Sequence, residues 1–375
     1  MQWVLNGWNW IFLLFCLVAA VQLFYQLWFF MRLAFYRKPA KARSIQHPVS
    51  VVICARDEAQ NLSEHLPLVC TQDYKTTYEV VAVDDNSFDD SKYVLEQLSK
   101  TYRQLRPIAL KQEARLIQGK KFPLSVGIKE AKYEVLLLTD ADCKPASEHW
   151  VERMQDGYYH DGIEVVLGYG GYEKKPGLLN KLIRYETYLS ALQYLSYALA
   201  GLPYMGVGRN LSYKKGLFFH HKGFAMHNQI PGGDDDLFIN RVANGKNTAI
   251  VIDPEAFTYS EPKTSWSSWR RQKIRHYSTS RYYKQSHRVL LSAYATSHIL
   301  FYPLLILSIL LYHSWIPLTI FGFRLLLQGI IAFRTMRKLR ENDLFWLYPL
   351  LDVWQWFYYL LFADGLFRKP GTQWK

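Results

Sequence analysis

The stretch LLLTDADCKP, residues 136–145, joins three leucines to two carboxylates, Asp140 and Asp142, which are separated by one residue. The longer segment YEVLLLTDAD, residues 133–142, has the length and apolar content of a buried β-strand. Core packing alone does not explain a strand that ends on acidic residues, because charged groups are costly to bury without a partner. The stretch therefore predicts that the two carboxylates face a ligand at the end of a strand.

Three upstream segments have the same β-rich character, and segments with helical spacing separate them. The predicted strands are VSVVICA (49–55), YEVVAVDDN (78–86) and RPIAL (106–110). The predicted helices are EAQNLSEHLPLVC (58–70), SKYVLEQLSKTY (91–102) and KFPLSVGIKEAK (121–132). This alternation predicts an α/β fold with a doubly wound, mostly parallel sheet, and the near-continuous apolar strands fit a sheet that is covered on both faces.

Acidic pairs end two of the predicted strands. Ligands of doubly wound sheets bind outside the carboxyl ends of the strands, so we expect Asp84 and Asp85 to face the same crevice as Asp140 and Asp142. Two carboxylates one residue apart can share a divalent cation, for which Mg²⁺ or Mn²⁺ is the natural choice. Taken alone, each pair is equally well explained as a polar turn, and NSFDD (86–90) contains good helix-capping residues.

Composition limits the class of protein. The 375 residues suffice for one large domain or two, and half of them are apolar. The mean hydropathy is nevertheless slightly negative, which indicates a polar domain joined to apolar segments. The net charge of +13 favours an anionic partner such as lipid, a phosphorylated ligand or nucleic acid. The four cysteines show neither paired nor metal-site spacing, which predicts reduced thiols in a cytoplasmic domain.

Apolar segments flank the central domain on both sides. Residues 8–36 carry no charge before Arg32 and can span a bilayer, and the basic stretch YRKPAKAR (36–43) that follows places the downstream chain in the cytoplasm. The sequence predicts an integral membrane protein with four parts: an N-terminal transmembrane helix (1–36), a cytoplasmic domain that ends in an interfacial helix (45–285), a transmembrane hairpin (289–333) and a third apolar segment that either spans the membrane or lies at its interface (344–362).

Six motifs then occur in a fixed order. They are VSVVICARDEAQNL (49–62), EVVAVDDNSFDD (79–90), GKKFPLSVGI (119–128) with LLLTDADC (136–143), GVGRNLSYKKGLF (206–218), GGDDDLF (232–238) and RRQKIRH (270–276). Together they closely resemble the membrane-bound family-2 inverting glycosyltransferases, which have a GT-A domain and include cellulose, poly-N-acetylglucosamine and hyaluronan synthases and ceramide glucosyltransferases. The resemblance covers residues 48–285 and is specific for the family, but not for the sugar.

The resemblance assigns most of the motif residues to a nucleotide-diphosphate sugar. The base and ribose would be contacted by Arg56, Glu58, Asp84 and Asp85. Lys121 would meet the diphosphate, and Asp140 and Asp142 would form the D-x-D motif that binds Mg²⁺ or Mn²⁺ across it. The family's Q-x-x-R-W motif, which closes over the diphosphate and the acceptor, corresponds to Gln272, Arg275 and His276. The acceptor side would include Gly208, Arg209 and Asn210.

The acidic motif GDDD (233–236) occupies the place of the family's catalytic base. An inverting displacement needs a general base beside the acceptor hydroxyl. Alignment on Leu237 makes Asp234 the base, whereas alignment on Gly-Asp-Asp makes it Asp235; we favour Asp234 and keep both. Taken without the resemblance, the motif reads as a glycine turn followed by an acidic helix N-terminus.

The chain departs from the family pattern at three positions. Cys54 and Asp57 stand where many members have proline and asparagine. His276 replaces the tryptophan that stacks on the acceptor sugar in processive synthases, so the resemblance implies single sugar transfers. The segment WSSWRRQKIRHYSTSRYYKQSHR (266–288) is dense in cationic and aromatic residues, which is typical of a helix that lies on anionic lipid, and we expect lipid and not nucleic acid as its partner.

Two function classes follow. The first is a glycosyltransferase that uses a nucleotide sugar and a lipid or lipid-linked acceptor at the membrane. The second is a non-catalytic membrane subunit that keeps the fold and binds nucleotide sugar or a partner. The D-x-D, the acidic motif and the Q-x-x-R favour the enzyme. A nucleotidyltransferase is a weaker alternative, because no glycine-rich loop follows VSVVICA.

Overall fold

A computed structural model describes residues 7–39, 46–111, 119–312 and 314–363. The strands are β1 (Val49–Ala55), β2 (Tyr78–Asp84), β3 (Leu105–Ala109), β4 (Val135–Asp140), β5 (Cys143–Pro145), β6 (Val165–Leu167), β7 (Gly170–Tyr172), β8 (Leu211–Lys214), β9 (Thr248–Ile250) and β10 (Thr258–Ser260). The helices are α1 (Gly7–Phe24), α2 (Met31–Ala34), α3 (Ala59–Cys70), α4 (Ser91–Thr101), α5 (Lys121–Glu130), α6 (Trp150–Gln155), α7 (Leu178–Leu199), α8 (Lys215–His220), α9 (Asp236–Val242), α10 (Trp266–Ser280), α11 (Gln285–Tyr312), α12 (Ile316–Lys338) and α13 (Tyr348–Phe362). A π-helical segment (Tyr25–Phe30) joins α1 to α2.

A seven-stranded sheet in the order β3-β2-β1-β4-β8-β6-β9 forms the centre of the domain. The four strands predicted from the sequence, β1 to β4, are mutually parallel. Strand β8 runs antiparallel to both of its neighbours, β4 and β6. The predicted mostly parallel, doubly wound α/β sheet is therefore confirmed, and one reversed strand in its second half was not predicted.

The sheet is buried on both faces, which explains the continuous apolar strands. All seven residues of β1 are buried, and two large apolar clusters lie on opposite faces of it. Helix α5 packs closely because Gly127 has no side chain: a Cβ there would lie 2.7 Å from Cγ1 of Val52. The spacing of Leu62, Leu66 and Val69 places one buried face of α3 against the sheet.

A second, three-stranded sheet in the order β5-β10-β7 lies beside the ends of the main strands. Its strands have three residues each, and no sequence pattern predicted them. Strand β5 begins at Cys143, directly after Asp142, and pairs antiparallel with β10 from Cys143 to Pro145. The small sheet thereby fixes the chain immediately after the D-x-D motif.

Three helical segments are long and apolar enough to cross a membrane: Trp10–Ala34, Gln285–Leu311 and Ile316–Lys338. They correspond to the predicted N-terminal helix and hairpin, although residues 1–6 of the first range and residue 45 of the central domain lie outside the described residues. Helix α13 has 15 residues, fewer than the roughly 20 needed to span. Whether the third apolar segment (344–362) enters the membrane or lies at its interface stays a prediction.

Polar side chains meet inside this helical bundle. The fully buried guanidinium of Arg324 in α12 contacts the Asp352 carboxylate of α13 at 2.9 Å, and it also donates to Gln22 of α1 at 3.2 Å. Asp352 additionally accepts from Gln328 at 3.3 Å and from the Tyr302 hydroxyl at 2.5 Å. We call these five residues the membrane polar cluster. It joins four helices that the chain order separates.

Helix α10 connects the α/β domain to the helical bundle. Trp269 is buried on its inner face and packs against Tyr358 and Phe362 of α13, with ring centroids 6.0 and 5.5 Å apart. On the other side, the Lys273 ammonium pairs with Glu186 of α7. The basic segment 266–288 is thus not one continuous surface helix, because its first half is packed on both sides and a turn precedes α11.

Candidate active site

The acidic ends of the strands come together at one edge of the sheet. In the register of the sheet, Ala55 of β1 pairs with Asp84 of β2, and Cys54 pairs with Asp140 of β4. The segments after all three strands therefore emerge side by side. The two acidic pairs that the sequence placed at strand ends share a single crevice.

The D-x-D carboxylates form the centre of this crevice. One ligand atom each from Asp140, Asp142 and Cys143 lies within 4.8 Å of the others. Burial raises the pKa of the Asp142 carboxyl, and the nearby Asp140 and Glu58 carboxylates raise it further. Burial would do the same to Asp140, but the Lys120 ammonium beside it, with Arg209 and Arg275, holds its pKa below the usual range. Arg209 opposes the increase at Asp142, which makes no ion pair with any residue that the structure describes.

A divalent cation fits this donor set. Two carboxylates, one of them without an ion-pair partner in the part of the chain that the structure describes, supply the oxygen ligands that Mg²⁺ and Mn²⁺ prefer. The Cys143 thiol is a poorer donor, because burial raises its pKa well above the ordinary value and its sulfur contacts the Ser260 hydroxyl at 2.9 Å. Asp140 and Asp142 would hold the ion, with the remaining positions open to a bound phosphate.

Two adjacent lysines lie differently at the start of α5. The Lys120 ammonium contacts the Asp140 carboxylate, and the Asp140 and Asp234 carboxylates raise its pKa against the opposing effect of burial, so it stays charged. The Lys121 ammonium is buried and donates to the backbone carbonyl of His227 at 2.7 Å and to that of Ile230. Burial lowers the pKa of Lys121 to about 8. The sequence placed Lys121 at the diphosphate, but Lys120 is the lysine at the carboxylates.

The segment after β1 forms the side of the crevice assigned to the nucleotide. The Arg56 guanidinium lies 3.8 Å from the Asp85 carboxylate. Asp57 adopts a left-handed backbone conformation with φ of 54°, and its carboxylate accepts from the Phe88 backbone N–H at 2.7 Å. The loops after β1 and β2 are thereby joined. Asp84 is buried, and its Oδ1 has no hydrogen-bond partner among the described residues, which suits a donor group on a ligand.

Remaining sequence assignments on this side are consistent with the geometry. Glu58 directly precedes α3, and its carboxylate influences Asp142 across the crevice. Cys54, where many family members have proline, is buried at the next-to-last position of β1 and pairs with Asp140. The charges of Lys120, Asp234, Asp140 and Asp85 act on its thiol, so this departure lies at the crevice.

The three adjacent aspartates have three different environments. Asp236 is buried and accepts from the Thr279 and Tyr283 hydroxyls at 2.6 and 2.8 Å. Asp235 caps α9, because one carboxylate oxygen accepts from the Asp236 N–H and the other from the Gly208 N–H, both at 2.7 Å. Asp234 makes no hydrogen bond or ion pair with any residue that the structure describes, and its charge acts on Lys120 and Lys121.

Two criteria for the catalytic base point to different aspartates. Burial, followed by the charges of Asp234 and Asp236, raises the pKa of Asp235 to about 8, which increases its affinity for a proton. However, both of its oxygens already accept backbone hydrogen bonds. Asp234 keeps its oxygens available for an acceptor hydroxyl. A base must first reach the proton that it removes, so geometry favours Asp234.

The predicted acceptor residues divide between the crevice and the core. Gly208 donates its backbone N–H to Asp235. The Arg209 guanidinium stacks on the Tyr172 ring at 4.4 Å and donates to the Gly171 carbonyl at 3.1 Å. Asn210 is fully buried: its amide donates to two backbone carbonyls at 2.9 and 2.7 Å and accepts from the Trp150 indole at 3.1 Å. Asn210 therefore braces the motif from the core side.

Helix α10 brings the Q-x-x-R-H motif to the same edge. Gln272 donates to the Tyr172 hydroxyl at 3.1 Å, and its Oε1 is buried without a hydrogen-bond partner among the described residues. Arg275 contributes to the low pKa of Asp140, which places its charge near the D-x-D carboxylates. His276 is exposed. Tyr172, which contacts both Arg209 and Gln272, carried no sequence signal, because it lies in a three-residue strand outside every motif.

Comparison with known proteins agrees with this geometry. Residues 50–226 match the family described as Glycosyl transferase family 2. The chain is 34% identical over 121 residues to Glycosyltransferase AglE of Haloferax volcanii, a match that covers 32% of this chain and 38% of the relative. It is 30% identical over 101 residues to Beta-monoglucosyldiacylglycerol synthase of Nostoc sp., covering 27% of this chain and 21% of that relative. The chain thus spans less than half the length of these curated relatives.

The fold has a counterpart among solved structures. The mannosyltransferase PcManGT from Pyrobaculum calidifontis, solved in complex with GDP-Man and Mn²⁺, superposes with a TM-score of 0.58 over 92% of this chain and 99% of the other, at 17% sequence identity. At this identity the likeness concerns the fold alone, which is that of the GT-A glycosyltransferases. Residues 50–226 are thus similar to glycosyltransferase family 2, in a chain whose fold is that of the GT-A glycosyltransferases.

Proposed function

We propose that the protein is an inverting, metal-dependent glycosyltransferase that moves one sugar at a time from a nucleotide-diphosphate donor to a lipid or lipid-linked acceptor at the membrane. The observation that carries this proposal is the convergence of Asp140, Asp142, Lys120 and Asp234 at the carboxyl edge of the parallel strands. Each group is one that sugar transfer from a diphosphate requires, and no packing role accounts for Asp142 or Asp234.

The leaving group determines the first requirement. Breaking the bond between the sugar and the diphosphate leaves negative charge on the phosphate oxygen, which cations must stabilise. Mg²⁺ or Mn²⁺ held by Asp140 and Asp142 would neutralise that charge as a Lewis acid. Lys120 and Arg209 add fixed positive charge at the same place. We assign the diphosphate to Lys120 and not to Lys121, because the Lys121 ammonium is engaged with backbone carbonyls.

The acceptor determines the second requirement. In an inverting displacement the acceptor hydroxyl attacks from the face opposite the leaving group and loses its proton to a base. We assign this role to Asp234. Asp235 holds the N-terminus of α9 and the Gly208 backbone in place, and Asp236 ties α9 to α10 through Thr279. Single transfers follow from the exposed His276, which lacks the stacking surface of the tryptophan in processive synthases.

A membrane acceptor is supported by the arrangement of the apolar helices. Helix α10 carries Gln272 and Arg275 at the crevice and packs through Trp269 on α13 of the bundle. An acceptor held in the lipid would therefore reach the crevice along α10. The name of one relative states that it makes monoglucosyldiacylglycerol, and a lipid acceptor here is consistent with it. The non-catalytic alternative does not account for the available oxygens of Asp234.

The experiment uses membranes that contain the parent chain or the Asp234→Asn variant, incubated with Mn²⁺ or Mg²⁺ and with each of a panel of radiolabelled nucleotide sugars, followed by lipid extraction. We expect label in the lipid fraction with one donor, only with the parent chain, and none when the metal is chelated. A variant that binds the nucleotide sugar, together with a parent that transfers nothing to lipid, would favour the non-catalytic subunit.

The orientation is tested separately. Nucleotide sugars are supplied from the cytoplasm, so we propose that the domain between α2 and α11 lies there. A cysteine introduced at Lys100, an exposed position on α4, should resist an impermeant thiol reagent in intact cells and react after permeabilisation. The native cysteines at positions 54, 70 and 143 are buried and provide little background. Labelling of this cysteine in intact cells would show that the domain lies outside the cytoplasm.

A further inference from the structure

A second groove lies at the opposite end of the sheet from the D-x-D motif. It has a volume of about 430 Å³ and is lined on one side by Glu164, which precedes β6, and by Gly216, which follows the antiparallel strand β8. Lys214, the last residue of β8, pairs with Val135, the first residue of β4. The groove is therefore about 16 Å or more along β4 from Asp140, because each strand residue rises by about 3.3 Å.

Positive charge dominates the lining of this groove. His220, His221, Arg241 and Lys284 supply basic side chains, and Glu164 is the acidic residue among its lining residues. The Glu164 carboxylate already accepts from the Asn247 amide at 3.0 Å. Among its lining residues, the two cations Arg241 and Lys284 face the one carboxylate of Glu164.

Arg241 lines the groove and is only partly hydrogen-bonded by the described residues. One of its terminal nitrogens donates to the Gly223 carbonyl at 2.8 Å and to that of His221, while its Nε is buried without a hydrogen-bond partner among the described residues. Burial lowers the pKa values of Arg241 and of Lys284. For His221, burial and then the charges of His220 and Arg241 lower the pKa. An anion in the groove would relieve this excess of positive charge.

The position of Lys284 indicates where that anion comes from. Lys284 immediately precedes Gln285, the first residue of α11 and of a membrane-spanning segment. Phe219, beside His220, is an apolar ring with 49% of its surface exposed. A basic groove at the aqueous end of a membrane helix, next to an exposed ring, lies at the level of the lipid headgroups, where phosphate is the abundant anion.

We propose that the groove between α8, the end of α9 and the start of α11 binds the phosphate headgroup of an anionic phospholipid. The bound lipid is not the sugar acceptor, because the groove opens at the edge of the sheet opposite the carboxylates. It anchors the end of α9, whose first turn carries the acidic motif. The proposal does not rest on the assigned transferase activity.

Binding is measured on the full chain in neutral detergent, without nucleotide sugar, using fluorescent phosphatidylglycerol and fluorescent phosphatidylcholine as probes. We expect the parent chain to bind phosphatidylglycerol more tightly, and Lys284→Gln to weaken that binding about fivefold, since one cation near an anionic headgroup contributes about 1 kcal/mol. Phosphatidylcholine binding should be unchanged. Lys284→Arg keeps the charge and should restore the preference, which separates loss of charge from loss of folding.

The matched control is Lys246→Gln. Lys246 is exposed on the turn between Asn244 and Asn247, next to the groove but not lining it, so this variant has the same net charge as Lys284→Gln. If both variants weakened phosphatidylglycerol binding equally, the lipid would be attracted by the general surface charge, and the proposed groove site would be wrong. Absence of a preference for phosphatidylglycerol in the parent would also overturn it, as would inorganic phosphate that binds the groove while phosphatidylglycerol does not.

Discussion

The membrane polar cluster and the active-site crevice both pair a carboxylate with a buried cation. They differ in whether a neighbouring carboxylate is left without an ion pair. In the membrane polar cluster, the Asp352 carboxylate accepts from Arg324, Gln328 and Tyr302, and Arg324 also reaches Gln22. In the crevice, Lys120 pairs with Asp140, while Asp142 lacks an ion-pair partner among the described residues. The charges of the first set neutralise each other within the protein, whereas the second set leaves the Asp142 carboxylate available to a ligand.

The contrast separates a structural charge pair from a candidate binding site by whether each carboxylate has an ion-pair partner. A buried ion pair holds helices in one arrangement, and losing one member exposes the other to the full cost of burial. A crevice that keeps one carboxylate without an ion pair is an arrangement that a metal ion and a phosphate can complete. Predictions that alter each place should therefore affect stability in one case and ligand binding or turnover in the other.

The largest effect is expected for the proposed base. Asp234→Asn should lower kcat by roughly 10²–10⁴-fold, because the acceptor hydroxyl loses its proton acceptor. Nucleotide affinity, measured by calorimetry, should change by no more than a few-fold, since binding rests on the metal, Lys120 and the strand-end acids.

Asp235→Asn is the comparison variant. Its carboxylate caps α9 and accepts from Gly208, so we expect a lower unfolding temperature with a smaller loss of kcat. A large kcat loss in Asp235→Asn beside a nearly silent Asp234→Asn would transfer the role of base by one residue. If both variants transferred sugar at the parental rate, the acidic motif would have no catalytic role.

The next effect concerns the metal ligands. Asp142→Asn should abolish the part of nucleoside-diphosphate binding that depends on Mg²⁺ or Mn²⁺, because an amide offers no anionic oxygen. Titration with and without a chelator measures this part directly. Cys143→Ala should leave it intact, because burial keeps the Cys143 thiol protonated. Unchanged metal dependence in Asp142→Asn would show that the D-x-D is not the metal site.

A third effect tests the balanced pair. Arg324→Leu leaves Asp352 buried without its cation and should destabilise the detergent-solubilised protein by about 3–5 kcal/mol. The double variant Arg324→Leu with Asp352→Leu should recover most of that loss, since neither charge remains. Thermal unfolding followed by circular dichroism compares the two. A double variant no more stable than the single one would mean that the cluster has a role beyond charge balance.

The smallest effect distinguishes the two lysines of α5. The pKa of Lys121 is lowered to about 8 from an ordinary 10.5, so the folded state binds its proton less tightly than the unfolded state does. Folding stability should therefore rise between pH 8 and 10.5, by about 3 kcal/mol in total. Lys121→Met should remove this rise when unfolding temperatures are compared across that range. An equal rise in parent and variant would contradict the assignment.

Much of the first half of the domain could be predicted because its signals are local. Strand β1 has the bounds that its apolar run indicated, and helix α4 differs from its predicted range by one residue. The second half was not predictable in the same way. Strands β6, β8 and β9 have only three or four residues, and their pairing depends on residues far apart in the chain.

The same division applies to the candidate site. Asp84, Asp85, Asp140 and Asp142 were expected together because parallel strands bring their carboxyl ends to one edge. The sequence prediction named Lys121 and not Lys120, since neighbouring residues at a helix start point in different directions and only the surrounding chain shows which one meets the carboxylates. Arg324 was read as part of an apolar span, because its partner Asp352 lies 28 residues away.

The sequence by itself determined the parallel α/β sheet, the acidic strand ends, the membrane segments and the family resemblance, because each is recorded in residues close together in the chain. Only the tertiary structure decided which aspartate keeps available oxygens, which lysine contacts the D-x-D carboxylates, and that Arg324 and Asp352 neutralise each other. Those properties depend on direction and charge balance across distant segments, and a linear pattern of residue types does not contain them.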